Sequence, residues 1–511
     1  MWMTRRIATA ALLATGSCLL LADVAAAAGK LKLSVVDAAT GRPLAFRLHL
    51  RNERQIPVKV PSVPNGHDHA SIPGAVQLEL FRGNYFFDIE HGPEYQTRNG
   101  HFTINDGADD EKTVELKRIV DMPKEFWWSA DLDVRRPPRE LETAMLADDL
   151  HLVPLTTWTN RRSDWTKAKP PSEPITAFDD DRYYHLLGGG DDRDGGPIGL
   201  FNLPRVPSLP AIPKTIVGLT PALRELKATN EELWIDIAQP TAWDLPILVG
   251  LGLADSYRVL PSSLARDKVD VTPFGKPFDR SLYAGRDGPT RFACDVYFHL
   301  LNCGLKIVPS AGSGSGLAPN PIGYNRVYTA VQRSQLDYRS WWEYYKLGRT
   351  MVTNGPILQP RANAMLPGAT FTANAGETLT LDLLTNLTTR DPIEYLEVVK
   401  DGNVLHSVRL ADWAKSGHFP TTSFTESGWC LIRVFALHKS TVRVAMTAPW
   451  YVEIGGKPRV SKASAQFFLD WLEERAKILQ IADEKERAAA DAAIVEARAF
   501  WQKKIAEANA P

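Results

Sequence analysis

Between residues 31 and 118, apolar and polar positions alternate with period two in LKLSVVDAATGRPLAFRLHL, VQLELFRGNYFFDI and KTVELKRI. That period sends successive side chains to opposite faces, so each run predicts a half-buried strand. Thr40-Gly41-Arg42-Pro43 and Arg82-Gly83-Asn84 supply turns between them. The segment reads as an N-terminal β-sandwich of immunoglobulin-like or transthyretin-like texture. From 120 to 360 the pattern changes. Short continuous apolar runs (HLVPLTTW, GPIGLFNL, ELWIDIAQ, GLKIVPSAGSGSG) alternate with helical stretches such as AWDLPILVGLG. Continuous runs suit strands buried on both faces, as in an α/β domain, whose functional groups sit where the strands end. DWTKAKPPSEPITAFDDDR, rich in Pro and Asp, is expected as a surface loop interrupting that domain. Residues 365–455 return to β texture, with a turn at Asp401-Gly402. The tail, 461–508, is helical: Phe467, Phe468, Trp471 and Leu472 form a stripe expected to dock on the body. The charged end of the tail is expected to project or to pair with another chain.

Length and composition narrow the class. A chain of 511 residues exceeds one ordinary core and predicts several domains. The formal net charge of -1 gives no reason to expect nucleic acid or an anionic membrane as partner. Arg5 and Arg6 precede the apolar run IATAALLATGSCLLLADVAAAA, which ends in small residues, so 1–28 reads as a secretory signal peptide. The mature protein is then expected to be exported, periplasmic or extracellular, with no membrane partner after cleavage. Beyond Cys18, Cys294, Cys303 and Cys430 have neither the number nor the spacing of a disulfide framework or a zinc cluster. They are expected to pack, with one bridge between Cys294 and Cys303 as the alternative. Oligomeric state stays open.

Chemistry concentrates in WWSADLDVRRPP, residues 127–138. Alternation puts Asp131, Asp133 and Arg135 on one strand face. Two carboxylates can hold a divalent cation, and a guanidinium beside them can neutralise the same charge. His67-Asp68-His69 is a close histidine pair, but its loop is rich in Pro and Gly and lacks further ligands at fixed spacing; exposed histidines are expected there. SAGSGSG, residues 310–316, lacks the Lys and spacing of a P-loop.

Several stretches in order resemble the carbaryl-hydrolase-like (CehA/McbA) family of the PHP metallohydrolase superfamily. They are WWSADLDVRRPPRELETAMLADDLHLVPLTTW, YYHLLGGGDDRDGG, WIDIAQPTAWDLPILVGLGLADSYRVLPSSLARD and HLLNCGLKIVPSAGSGSGLAPNPIGYNRVY. GRTMVTNGPIL, PWYVEIGG and SAQFFLDWLEER extend the likeness over most of the chain. The resemblance implies an α/β PHP-like barrel flanked by all-β sandwich domains, with a C-terminal helix. It also implies a metal-dependent hydrolase of ester, carbamate or phosphoester bonds. The family's G-D-L-H-V-H-R motif carries two histidine ligands; here Asp133 and Arg135 stand at those positions. Its acidic residue before D-L is matched at Asp148-Asp149-Leu150, and E-D-E-R by Gly190-Asp191-Asp192-Arg193. N-N-H is replaced by Pro261-Ser262-Ser263, and D-x-H by Ser313-Gly314-Ser315. His185 survives on a stretch read as helical.

The metal site implied by the resemblance is therefore degenerate, with Asp131, Asp133, Asp149 and Asp192 as the candidate ligands left. Asp192, Arg193 and His185 are the catalytic candidates. Arg135, Arg136, Asp191, Ser313, Ser315, Asn325 and Arg326 are expected to line the pocket. A divalent metal (Zn, Mn, Mg or Ca) is one reading; the favoured one is no metal, with arginines neutralising the carboxylates. The function readings are an inactive or altered exported protein, a working hydrolase on a carboxylate-rich metal set, and a ligand-binding or scaffold module for a small molecule.

Overall fold

The computed structural model of the protein describes residues 28–271, 274–333 and 335–511. All but the last residue of the expected signal segment lies outside them. The first strand, Ala28–Asp37, alternates exposed and buried residues, the pattern that alternation in its sequence dictates. It pairs with Ala75–Phe81 antiparallel and with Asp109–Leu116 parallel. A second sheet, ordered Ala70–Ile72, Phe46–Asn52, Gly83–Glu90 and Arg98–Ile104, packs over it. Leu33, Val35, Phe46, Leu48, Leu50 and Ile89 fill the space between, forming a sandwich core of its own.

The rest of the chain corrects the expected architecture. Among the described residues the protein is mostly β, with 36% in strands against 22% in helices, and no α/β barrel forms. Instead one sixteen-stranded sheet runs through both the central and C-terminal regions. Its path begins with Val308–Ala311, Ser256–Leu260 and Trp234–Ile237, which are mutually parallel. It continues through Ile198–Phe201, Arg182–Asp191, Leu152–Thr159 and Trp127–Ala130 to Arg326–Ala330 and Thr350–Thr353. Thr350–Thr353 then pairs with Arg443–Thr447, which carries the sheet into Gly428–Ala436 and Ile393–Lys400. The boundary expected between 360 and 365 is thus bridged by backbone hydrogen bonds. Chain beyond Ala130 does reach the far edge, through a Leu132 N–H bond to Ala311 O and an isolated bridge from Val134 to Ser315. Among the described residues, no strand ladder closes the sheet there. A barrel needs its first and last strands paired along their length, and a single bridge does not do that.

The connector expected as a loop contains a strand, Ile175–Phe178, paired with the start of Arg182–Asp191. The helical tail is two helices, Lys462–Ile478 and Glu484–Ala506, begun by side-chain caps from Ser461 and Asp483. Phe468, Trp471, Ala490, Ala497 and Trp501 are buried in the large core, so the stripe docks as expected and the charged end packs as well. Glu486 accepts from the Lys214 and Thr215 N–H groups and from the Thr215 hydroxyl, tying the tail to the body. Cys294, Cys303 and Cys430 are free and buried.

Candidate functional site: a charge row and the cleft beside it

The Trp127–Ala130 strand is wholly buried, and the chain leaves it still running inward, so Asp131 and Asp133 enter the interior together. They do different things there. Asp131 Oδ1 accepts from the backbone N–H groups of Asp133 (3.0 Å) and Ser313 (2.9 Å). Its Oδ2 accepts from the Ser313 hydroxyl (2.5 Å) and the Gly323 N–H (2.7 Å). Burial pushes this carboxyl up to about 6, against the pull of those donors. Asp131 thus pins two loops to the strand end, and four donors occupy it.

Asp133 turns toward positive charge. Its Oδ2 accepts from Arg258 Nη1 at 2.8 Å, and Arg135 Nε lies 3.2 Å from Oδ1. Arg258 Nη2 reaches Asp236 Oδ2 at 2.6 Å and the Leu132 carbonyl at 3.1 Å. Asp236 Oδ1 accepts in turn from the Ser256 (2.6 Å) and Ser310 (2.5 Å) hydroxyls. At the other end Arg135 Nη1 lies 3.4 Å from Asp192 Oδ2. The result is a row of alternating charge, Asp236–Arg258–Asp133–Arg135–Asp192, buried at one end and half-open at the other. Burial works against the Arg258 charge, but Asp236 and Asp133 outweigh it and raise that group's pKa. A β-carbon on Gly312 would stand 2.5 Å from that of Asp133, so only glycine lets the 310–316 loop come this close.

The other expected site residues disperse. Asp149 lies in a left-handed turn (φ 47°) and pairs with Arg182 (2.6 Å) and Arg118 (3.1 Å), in a cluster apart from Asp133. Asp191 pairs with Arg193 at 3.2 Å, and burial pushes its carboxyl up to about 6. His185 lies on a strand, not a helix; its Nδ1 accepts from Leu187 N–H and its ring stacks on Tyr338. Burial holds it down at about 4, the state of a packed core histidine. Arg326 donates to the carbonyls of Gly323, Asp148 and Asp149, and Asn325 to those of Pro261, Leu264 and Gly312. Both hold loops. Ser315 accepts from Arg136 Nε at 3.0 Å.

Arg135 and Arg136 also line a cleft of about 820 Å³ between the N-terminal sandwich and the large sheet. The sandwich contributes Gly66, His67 and Asp68; the sheet side contributes Arg266, Lys268 and the Gly316–Asn320 turn. Beneath Asp68 lie His69 and His49, both buried, contrary to the exposed loop expected for His69; His67 alone of the pair is exposed. Asp68 faces both rings, Oδ2 to His49 Nδ1 (3.1 Å) and Oδ1 to His69 Nδ1 (3.0 Å). His49, Asp68 and His69 each offer a ligand atom within 4.8 Å of the others, so this group can hold a metal ion. Its surroundings favour a proton instead. Arg47 Nε donates to His49 Nε2 at 3.1 Å, and Arg136 Nη2 lies 3.4 Å from His69 Nε2. A guanidinium only donates, so both Nε2 atoms act as acceptors and each Nδ1 carries the hydrogen that Asp68 accepts. Binding metal at Nδ1 would turn an Nε2–H against the Arg47 N–H. Burial lowers His69 to about 3, keeping the ring neutral.

Sequence reasoning passed over Arg258, Asp236 and His49. Arg258 and Asp236 were visible as single charges inside the apolar runs SYRVL and WIDI, where a buried charge demands a partner. His49, among the alternating residues of LAFRLHL, carried no comparable signal.

No protein-family model matches this chain, and neither does a curated protein. Among solved structures, the chain is similar to the Bacillus anthracis TIE protein at 19% identity and a TM-score of 0.15. That match spans 21% of this chain and 19% of the other, and a likeness of this size bears on neither fold nor activity.

Proposed function

We propose that this chain is an exported relative of the CehA/McbA-like proteins in which paired charge has replaced hydrolytic metal, leaving a small-molecule binding module. The observation that carries the reading is the row Asp236–Arg258–Asp133–Arg135–Asp192. Hydrolysis of an ester, carbamate or phosphoester by metal needs open coordination positions and a water whose pKa the ion lowers. Here the carboxylates that would serve such an ion accept from guanidinium groups, and Asp131 is filled by four other donors. Arg135 and Arg258 supply the compensating charge in permanent form, because guanidinium does not lose its proton. Metal analysis of protein purified without chelator, run beside ester, carbamate and phosphoester panels, tests this. The expected outcome is no stoichiometric metal and no turnover. Turnover lost together with metal in Asp133→Ala would refute it.

A second reading rests on His49, Asp68 and His69, which can hold a divalent ion. Two imidazoles and a carboxylate suit Zn or Mn better than Mg or Ca. Zinc titration of the wild type and of His49→Ala separates the readings: one equivalent bound tightly by the wild type and lost in the variant would favour metal.

A further inference from the structure

We propose that the cleft between the sandwich and the large sheet binds a small molecule through an oxyanion, a carboxylate or phosphate group held between Arg135 and Lys268. The inference rests on the reading of the chain as a binding module and names the class of ligand. Its basis is which charges in the cleft are already satisfied. Three acids line the walls, and each has a partner. Asp68 takes both histidine N–H groups, Glu140 pairs with Arg136 Nη1 at 3.2 Å, and Asp267 pairs with Arg266 Nη1 at 3.3 Å. The remaining guanidinium nitrogens of Arg266 and Arg136 are also taken, the first by Glu90, the second by Ser315 and His69.

Two cationic donors are left over. Arg135 spends Nε and Nη1 on Asp133 and Asp192, and among the described residues its Nη2 has no hydrogen-bond partner. The Lys268 ammonium likewise has no ion-pair or hydrogen-bond partner among them, although it stands on the cleft wall. Of the cations lining the cleft, Arg135, Arg136 and Arg266 have acidic partners, and Lys268 carries the one charge without such a partner among the described residues. The space of about 820 Å³ is generous for a metabolite-sized ligand. Elsewhere in the lining, Leu317, Ala318 and Pro319 offer apolar surface, and Asn320 is occupied in holding the carbonyls of Ser262, Leu264 and Ser313. The ligand therefore pairs one oxyanion with an uncharged body. A concave wall whose acids are satisfied and whose spare donors are cations selects anions over cations and neutral molecules.

The test uses the full mature chain and isothermal titration calorimetry with inorganic phosphate, succinamate and the neutral succinamide. Phosphate and succinamate distinguish the two oxyanion chemistries; succinamide keeps the body and removes the charge. Expected is saturable binding of at least one anion, none of succinamide, and affinity weakened about tenfold or more in Lys268→Glu, the scale of a lost charged hydrogen bond. Lys415→Glu, on an exposed helix away from the cleft, should bind as the wild type does. Lys268 is exposed and unpaired, so its substitution is not expected to disturb folding; a melting curve checks that, and Lys268→Gln repeats the test at smaller charge change. Three results would overturn the proposal: no heat from either anion at about 10 mM, equal binding of succinamide, or equal weakening by Lys268→Glu and Lys415→Glu. Failure of the underlying reading looks different, since it would appear as turnover with bound metal whatever Lys268 does.

Discussion

Arg258 is where the charge row is most exposed to experiment. Its side chain is buried between Asp133 and Asp236, with hydrogen bonds of 2.8 and 2.6 Å. Arg258→Met keeps much of the volume and removes the charge, leaving two buried carboxylates that face each other. Neither is wholly abandoned: Asp133 keeps Arg135 at 3.2 Å, and Asp236 keeps two serine hydroxyls. Breaking one buried ion pair costs about 3–5 kcal/mol, and the remaining partners argue for that range instead of twice it. At about 2–4 °C per kcal/mol for a unit of 150–250 residues, the main transition should fall by roughly 6–20 °C. Differential scanning calorimetry reads the shift, with tryptophan fluorescence as a second probe of the same core. The triple variant Arg258→Met, Asp133→Asn, Asp236→Asn removes the orphaned charges as well and should recover most of the loss. A shift under about 2 °C for the single variant, or a triple variant no better than the single, would falsify the claim that Arg258 neutralises this pair.

Other features give shorter tests. Glu90 joins three parts of the chain, accepting from Arg47 (2.9 Å), Arg266 (2.8 Å) and Arg390 (3.2 Å), which together hold its carboxyl well below the usual range despite burial. Glu90→Gln should therefore cost about 3–5 kcal/mol and speed limited proteolysis around 260–270; an unchanged digestion pattern counts against a clamp. Burial, with Arg182 next in effect, lowers His151 to about 3 from 6.5. The unfolded chain then takes up the proton first, so the contribution of this group is whole above pH 6.5 and is lost as pH falls toward 3. Between pH 7 and 5.5 the melting-temperature gap between wild type and His151→Gln should narrow by the equivalent of about 1.3 kcal/mol; a constant gap refutes the assignment. Cys294, Cys303 and Cys430 are buried, and burial raises their thiols, so none should react with a thiol reagent until the protein unfolds.

Local pattern made individual elements legible and left their assembly hidden. The period-two runs of 31–118 became the sandwich because alternation fixes which face is buried before any partner is chosen. The runs LVPLTTW, IGLF and WIDI became buried strands for a different local reason: a continuous apolar run suits burial on both faces. Closure of the sheet is another kind of fact. It depends on whether Trp127–Ala130 and Val308–Ala311 pair along their length, and nothing in either run says so; what forms is a Leu132–Ala311 hydrogen bond and an isolated bridge at Val134. Nor does any local signal announce that Thr350–Thr353 pairs with Arg443–Thr447 across ninety-odd residues. His185 was misplaced because RYYHLLGGG mixes aromatic and apolar residues at spacings that suit either a helix or a strand.

The site divides along the same line, and the division bears on how its buried carboxylates are neutralised. Asp133, Arg135 and Asp192 were found in sequence because they stand at positions where the resemblance expects ligands. Arg258 was not, because the resemblance asks nothing of that strand position, yet it makes the shortest contact that Asp133 has. An arginine at 135 alone would leave Asp133 sharing one half-exposed cation with Asp192, and Asp236 with hydroxyls only. Buried carboxylates so placed need more positive charge than Arg135 provides. Neutralising this row therefore takes two arginines, with Arg135 covering its open end and Arg258 its closed end. Burial ranks the acids: Asp236, wholly enclosed, is the one least able to stand without its arginine. Arg135→Ala should accordingly cost less stability than Arg258→Met, because water can reach Asp192 and the outer oxygen of Asp133. Equal losses in the two variants, measured by calorimetry under the same conditions, would mean that the row acts as one indivisible unit.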